Sequence, residues 1–475
     1  MPLILPGNVA TATASTTFDV ANSVRMDGSS SYMTKTLGTP TDIDKYTFSF
    51  WCKRAKIGAQ QSIFRSTNGA ATNDSHVTFQ ADDTLRFEEY GGGATIGKLQ
   101  TTQLFKDVSA WYHIVLVYDS GNGTAGNRMR MYVNGSEVTS FGTDTNPSQD
   151  ADSYFNKSGE VLSFGRTPYS GGSTYFNGYV AELVMCDGQA YAASDFGEYN
   201  EDSPQIWQPK DVSGLTFGNN GFYLDFEASD NLGNDANGGT DFSESGLAAI
   251  DQTTDTCTNN FCTFNPLIKQ DHAFSEGNLK YTSSASDWDC GIATIPFSAG
   301  KWYMEQKITA VVGGIVRTGI GICDVRDVNQ IAEGEFGYQS SGVVGDTIGY
   351  NDNAVHKNDS AQSGSWGDMD NGDVAQMAVD LDNSAVYFGL NGTWGNSGDP
   401  TSGASKTGAI GFTAGQTYVS GAIGYGGGAV EQNWGNPVSA LSSGNADANG
   451  YGNFEYAPPS GYYALCTKNL GEFGG

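Results

Sequence analysis

Tyr46 to Lys53, YTFSFWCK, sets Tyr, Phe, Phe and Cys against Thr, Ser, Trp and Lys in strict alternation. Alternate residues of an extended chain face opposite ways. Aromatic rings on both sides therefore demand cover on both sides, as an inner strand of a sandwich receives. Trp111 to Asp119, WYHIVLVYD, is more apolar still and reads as a central strand. Val77 to Gln80, an Asp82–Asp83 turn and Leu85 to Glu89 read as a hairpin. Arg128 to Val133 runs into Asn134–Gly135 and then Glu137–Val138. Asn-Gly between alternating runs is a hairpin signal, because both turn residues need positive φ. Phe176 to Asp187 adds a further long strand, and Tyr223 to Phe226 a short one.

The second half behaves alike without copying the first. Trp302 to Ile308, Thr318 to Cys323, Gly372 to Asp380 and Ala385 to Leu390 read as strands, the last leading into an Asn391–Gly392 turn. Helix formers are sparse, while 64 glycines and a 12% share of aromatics accompany abundant Ser, Thr, Asn and Asp. Short strands between tight turns are the physical reading of that mixture. The expected fold is all-β: two antiparallel β-sandwiches in tandem, at 23–210 and 271–475. An N-terminal arm (1–22) and a connecting segment (211–270), rich in Asp, Asn and Gly over Ser229 to Asp241, complete the expected layout.

With 24 basic residues against 53 acidic ones, the formal net charge is −29. Such a surface repels phosphate backbones and anionic bilayers, which argues against a nucleic-acid partner. No stretch approaches the roughly 18 apolar residues of a spanning helix, so membrane insertion is not expected. The opening MPLILPGNVATATAST lacks a basic n-region, and Pro6 cuts its apolar run short, so a secretory signal is not expected either. The seven cysteines are odd in number and scattered, the reading being buried free thiols rather than a disulfide framework.

DKYTFSFWCKR, DVSAWYHIVLVYD, RMRMYVNG and FNGYVAELVMCDGQA, in that order, resemble a laminin-G-like, concanavalin A-like lectin domain. The likeness is greatest to the version found in structural proteins of marine bacteriophages. There it continues into a segment similar to FGNNGFYLDFEASDNLGNDANGGTDF and DQTTDTCTNNFCTFNPL. GKWYMEQK, GIGICD, GDVAQMAVDLDN and VYFGLNGTW resemble a SPRY domain, and EQNWGN with FEYAPPSGYYALCTKNL resembles the closing part of its phage versions. The resemblance implies a virion surface protein: a tail-fibre tip, a short tail appendage or a head decoration. Such a protein is made in the host cytoplasm and released by lysis, which reconciles an exposed-type β composition with the missing export signal. Implied partners are other virion proteins and a host-surface glycan or receptor, with homo-oligomers, trimers among them.

Concanavalin-like folds also host glycoside hydrolases, whose retaining members need two carboxylates about 5–5.5 Å apart. In laminarinase-type enzymes they lie on one strand as Glu-x-Asp-x-(x)-Glu. Glu198 to Asp202 has Asn200 where the central Asp should be, Glu333 and Glu335 lack a third acid, and Glu88 and Glu89 are adjacent. None of His76, His113, His272 and His356 accompanies a nucleophile signature, so no enzyme is expected. His113 reads as packed or hydrogen-bonded within its strand.

No cofactor is required on this reading. Asp230, Asp235, Asn237 and Asp241, with Asn234, offer hard oxygen ligands for Ca2+ in one loop, but their spacing does not match the Asp-x-Asp-x-Asp-Gly pattern. Sugar faces stack on aromatic rings flanked by polar groups. Trp288, Tyr350, Trp366 and Trp394 lie in Gly/Asn/Asp-rich stretches where no strand period demands burial, making them the ligand-contact candidates, with plugging of the sandwich ends as the competing role. Trp51, Trp111, Trp302 and Trp434 read as core. Two functions fit: a protein holding surface glycans weakly and many times over, or a purely structural decoration or adaptor.

Overall fold

Lys45–Arg54 forms a ten-residue strand in which every residue after Lys45 is buried. The computed structural model describes residues 18–69, 72–168, 174–268, 272–284, 287–311, 317–339 and 342–474. The strand lies mid-sheet, between Trp111–Asp119 and Asn177–Asp187. Met129–Val133 and Ser136–Glu137 continue the sheet on one side, Ser23–Asp27 and Gln252–Thr253 on the other, and Phe222–Leu224 also pairs with Asn177–Asp187. The facing sheet runs Phe141–Thr145, Ala94–Leu104, Thr84–Gly91, Ser75–Phe79, Gln61–Thr67, Val161–Phe164, Tyr32–Thr36 and Ser243–Ser245. Both are antiparallel. The Asn134–Gly135 turn has the positive φ pair, 47° and 79°, that its sequence demanded.

Tyr46, Phe48 and Phe50 point inward to meet Phe64, Phe87 and Phe164 of the facing sheet. Phe48 and Phe64 stack with centroids 4.8 Å apart. Each such ring contributes roughly 1.5–3 kcal/mol by leaving water. Outward from the same sheet point Trp51, Trp111 and Tyr179, which pack with Val20 and Cys257. Beside them Val115, Val117, Val184 and Cys186 pack with Ala193, Phe196, Val212 and Phe217. Two later stretches of chain thus supply the cover that rings on both faces require.

The division of the chain differs from the expected one. It splits between Thr258 and Asn259 into two compact units. Residues 211–258 are no connector, because Phe222–Leu224, Ser243–Ser245 and Gln252–Thr253 all join the first sandwich. A carboxylate fixes the last of these stretches. Asp255 accepts from Lys53 Nζ at 2.7 Å and from Trp111 Nε1 at 3.2 Å, all three being buried. Arg25, also buried, adds a 3.2 Å pair to Asp251. Residues 1–17 of the expected arm lie outside the described residues, but Val20 belongs to the first sandwich. Its N–H donates to Thr258 Oγ1 at 3.2 Å.

The second sandwich opens with Phe261, Cys262 and Phe264, already in its cores. One sheet runs Ala273–Ser275, Lys280–Thr282, Ala429–Asn433, Lys301–Ala310, Val374–Asp380, Ala385–Leu390 and Thr393–Trp394. The other runs Trp288–Ile292, Tyr418–Tyr425, Thr318–Asp324, Thr347–Asn351, Ala354–Lys357 and Ser360–Ala361. Trp302, Met304 and Ile308 meet Ile320, Ile322 and Ile348 in the core between them. On the outer face of the first sheet, Tyr303, Ala378 and Tyr387 lie under Phe454, Tyr462 and Ala464 of the C-terminal segment. The described α-helices, Val328–Ala332 and Thr467–Phe473, are short. None of the described helices is long and apolar enough to cross a membrane. All seven cysteines are free and six are buried, as their spacing led us to expect.

Removing one partner of a buried ion pair strands the other charge. Asp255→Ala is therefore expected to lower stability by about 3–5 kcal/mol, measured by urea unfolding. Asp42→Ala, at a surface pair of 3.8 Å with Lys45, should cost at most about 1 kcal/mol.

Candidate functional site

The four loop aromatics separate on burial. Tyr350 is not in a loop: it belongs to Thr347–Asn351, is fully buried, and its hydroxyl donates to the Trp366 carbonyl at 2.6 Å. Trp366 is 4% exposed and part of the core, and its indole N–H has no acceptor among the described residues. Both are therefore structural plugs. Trp288 and Trp394 stay half-buried. Trp394 leans on Tyr303, centroids 6.3 Å apart and edge to face. Trp288 pairs with Tyr425 at 5.3 Å.

The acidic loop is occupied by its own protein. Buried Asp235 pairs with Lys35 at 3.3 Å and accepts the N–H groups of Tyr223 and Asn237. Asp241 accepts from Asp235 N at 3.0 Å and Asn231 Nδ2 at 2.8 Å, contacts that hold its carboxyl below the usual range. Asp230 and Asn237 are exposed. Among the described residues, no three His, Cys, Asp or Glu side chains gather as a metal site requires. A cationic Lys35 against Asp235 does the charge neutralisation that Ca2+ would otherwise perform, so these residues do not fit the ion.

The conspicuous titratable groups of the first sandwich are also engaged. His113 Nδ1 accepts from Trp207 Nε1 at 2.9 Å, so Nε2 carries the proton toward Ser49 Oγ, also at 2.9 Å. Burial pushes this imidazole down to about 3. Glu88 and Glu89 serve different neighbours, Lys98 for the first and Tyr46, Ser75 and Ser153 for the second. Glu182 sits in a register shift of Asn177–Asp187 with φ of 50°, a costly backbone for a non-glycine residue. Burial raises its carboxyl to about 8, with Asp225, Glu227 and Asp211 adding to the shift and the Tyr223 hydroxyl, donating at 2.7 Å, opposing it.

The second sandwich holds a cleft of about 300 Å3 on the outer face of its first sheet. The strand period explains its floor. In Lys301–Ala310, Trp302, Met304 and Ile308 turn inward, leaving Glu305 and Lys307 outward. Glu431, opposite Lys307 in the ladder, and Asn433, opposite Glu305, come from the neighbouring strand. Val374 and Asn391 complete the floor, Pro437 to Ser442 form one wall, and Glu455 and Tyr456 the other.

A chain of hydrogen bonds fixes Tyr456. Gly392 N donates to Gln376 Oε1 at 2.6 Å, Gln376 Nε2 to Tyr303 Oη at 2.8 Å, and Tyr303 Oη to Glu305 Oε1 at 2.8 Å. Glu305 also accepts the N–H groups of Glu455 and Tyr456, both at 2.8 Å. Burial pushes Glu305 above the ordinary glutamate range, and these donors oppose the shift. Gly392 has φ of 81°, and a Cβ there would stand 2.8 Å from the Tyr456 ring. The Asn-Gly turn thus makes the hairpin and also leaves room for the ring. Ser439 donates to Glu431 at 2.7 Å, tying the opposite wall to the floor, and Ser442 N donates to Glu455 at 2.8 Å, tying the two walls together. An aromatic ring and an apolar wall over a floor of amide, ammonium and carboxylate groups can hold a polyhydroxylated ring.

The sequence reading missed Tyr456 although its signal was the one applied to the tryptophans: an aromatic residue in a stretch without strand period, here before Pro458 and Pro459.

Residues 27–192 match a laminin-G family model described as the concanavalin A-like lectin/glucanases superfamily. No curated protein matches the chain. Among solved structures, a heptameric SAP-like pentraxin from Limulus polyphemus is similar at 15% identity, covering 37% of this chain and 80% of its own, with a TM-score of 0.28. The SPRY domain of human HERC1 is similar at 15% identity over 36% of this chain and 96% of its own, TM-score 0.28. The CBM40 of the Ruminococcus gnavus IT-sialidase is similar at 14% identity over 34% of this chain and 95% of its own, TM-score 0.26.

Trp366→Ala is expected to cost about 3–5 kcal/mol in chemical unfolding, whereas Trp366→Phe, which forfeits no hydrogen bond, should cost far less. Glu182 keeps its proton in the folded chain up to about pH 8, while an unfolded glutamate loses it near 4.5. Its contribution to stability is therefore full below pH 4.5 and disappears as pH rises to about 8. Melting temperatures at pH 5 and pH 9 should differ less in Glu182→Gln than in the parent.

Proposed function

We propose that this chain is a non-enzymatic carbohydrate-binding protein of a bacteriophage virion surface, holding its glycan in the cleft beside Tyr456. The observation that carries the binding reading is the ring of Tyr456, set beside Gly392 with its backbone N–H held by Glu305, at the wall of a cleft with a polar floor. At about 300 Å3 the cleft lies at the small end of ligand sites, which suits about one or two sugar rings. Weak single contacts of this kind gain strength when repeated on a particle, which is the case for a homo-oligomer, a trimer included. The lectin-type match over residues 27–192, in the first sandwich and outside the cleft, supports carbohydrate binding as a property of the chain only in general, and the net charge of −29 disfavours nucleic acid.

The virion placement rests on the order of segments that resembles marine-phage structural proteins, with other virion proteins as neighbours and host-surface glycan as ligand. No cofactor is needed on this reading. Glu305 already accepts three hydrogen bonds, which supports a positioning role for it and not proton transfer.

Glycan-array binding by the purified protein tests the proposal. Tyr456→Ala is expected to weaken binding about tenfold, ~1.4 kcal/mol, with EDTA leaving it unchanged. Antibody labelling of intact particles should place the protein on their surface. Release of reducing sugar, or full binding by Tyr456→Ala, contradicts the reading. Absence of glycan binding together with tight attachment to particles favours the purely structural role.

A further inference from the structure

We infer a second saccharide site on the second sandwich, made by Trp288, Tyr425 and Arg317 and suited to a carboxylated sugar. It lies outside the Tyr456 cleft and does not depend on that reading. Three adjacent chains meet here at one end of a sheet. Trp288, the first residue of the edge strand Trp288–Ile292, stands opposite Tyr425, the last residue of Tyr418–Tyr425. On the far side of Tyr425, its N–H donates to the Arg317 carbonyl at 2.9 Å. The Trp288 and Tyr425 rings are 5.3 Å apart at 44°, and the guanidinium carbon of Arg317 lies 4.6 Å from the Tyr425 centroid.

All three side chains are half-buried, whereas Tyr418 at the other end of the same strand is fully buried. A pure plug of the sheet end needs rings only; the cation is the added feature. Arg25, Arg54, Arg65 and Arg326 each face an aspartate. Arg317, like Arg130 and Arg166, has a tyrosine ring as its partner instead, and its N–H groups meet no carboxylate among the described residues. In a chain with 53 acids and 24 bases, a guanidinium kept clear of carboxylates is poised for an outside anion. Arg317 lies over the Tyr425 ring, a contact that uses none of its N–H donors and leaves them for the paired oxygens of a carboxylate. Trp288 then offers the apolar surface on which a sugar ring rests. Asp287, the acidic neighbour in sequence, has Oδ1 engaged by the Trp288 N–H at 2.9 Å. Ring plus fork selects an acidic monosaccharide unit, of the uronic or sialic type, over a neutral one.

Calorimetric titration of the full chain with an oligogalacturonate, its methyl ester and sialyllactose tests this. At least one acidic probe should bind, and the ester should bind at least tenfold more weakly than the free oligogalacturonate if that is the probe taken. Arg317→Gln should lose at least tenfold toward the acidic probe, Arg317→Lys should retain part of the affinity, and Trp288→Ala, which also loses core packing, should weaken binding at a temperature where its circular dichroism still matches the folded parent. Tyr456→Ala should bind the acidic probe as the parent does, which separates failure of the cleft from failure of this site. The inference is overturned if neither acidic probe binds, if acid and ester bind equally, or if Arg317→Gln binds as the parent.

Discussion

Both sandwiches are governed by one constraint: a sheet that carries large apolar side chains on both faces must be covered twice. The facing sheet supplies one cover. The other comes from mostly irregular chain, held by side-chain polar bonds together with short strand pairs and bridges. In the first sandwich that cover includes the stretch around Asp255, where a buried carboxylate serves Lys53 and Trp111 together. An ion pair placed so deep contributes little beyond offsetting its own desolvation. Its value is positional, since it fixes one register of a segment that has no period of its own.

In the second sandwich the same requirement produces the site. The segment carrying Phe454, Tyr462 and Ala464 closes the outer face over Tyr303 and Tyr387. Where this cover gives out, the sheet is left bare beside Glu305 and Lys307, and the cleft opens there. Tyr456 therefore has a double inheritance. Its neighbours in sequence belong to the cover, and its backbone N–H is fastened to the strand beneath through Glu305. The cleft is the unfinished edge of a packing solution.

How far the sequence could be read follows from this. Trp111–Asp119 and Ala385–Leu390 have the bounds their alternation indicates, and the two Asn-Gly turns fall where they were expected. Strand period is local, so it is legible. The covering segments have no such period, and residues 211–258 looked like a linker because Asp, Asn and Gly there make turns between very short strands. Tyr350 sits before Asn351, Asp352 and Asn353 and so passed for a turn residue, yet it is the buried last ring of its strand's inward face. Asp235 looked like a ligand for a cation until Lys35, 200 residues away in the chain, proved to be that cation. Trp288 was singled out as a loop aromatic, yet it begins an edge strand and packs on the core; its meeting with Tyr425 and Arg317 was not legible, since it depends on strands ending side by side.

The thiols carry a last implication. All seven are free, and burial pushes Cys52, Cys186 and Cys466 up to about 12. A thiol so reluctant to ionise is a poor nucleophile for disulfide exchange. The architecture owes none of its integrity to covalent cross-links, and passage from a reducing to an oxidising medium leaves nothing to be formed or broken.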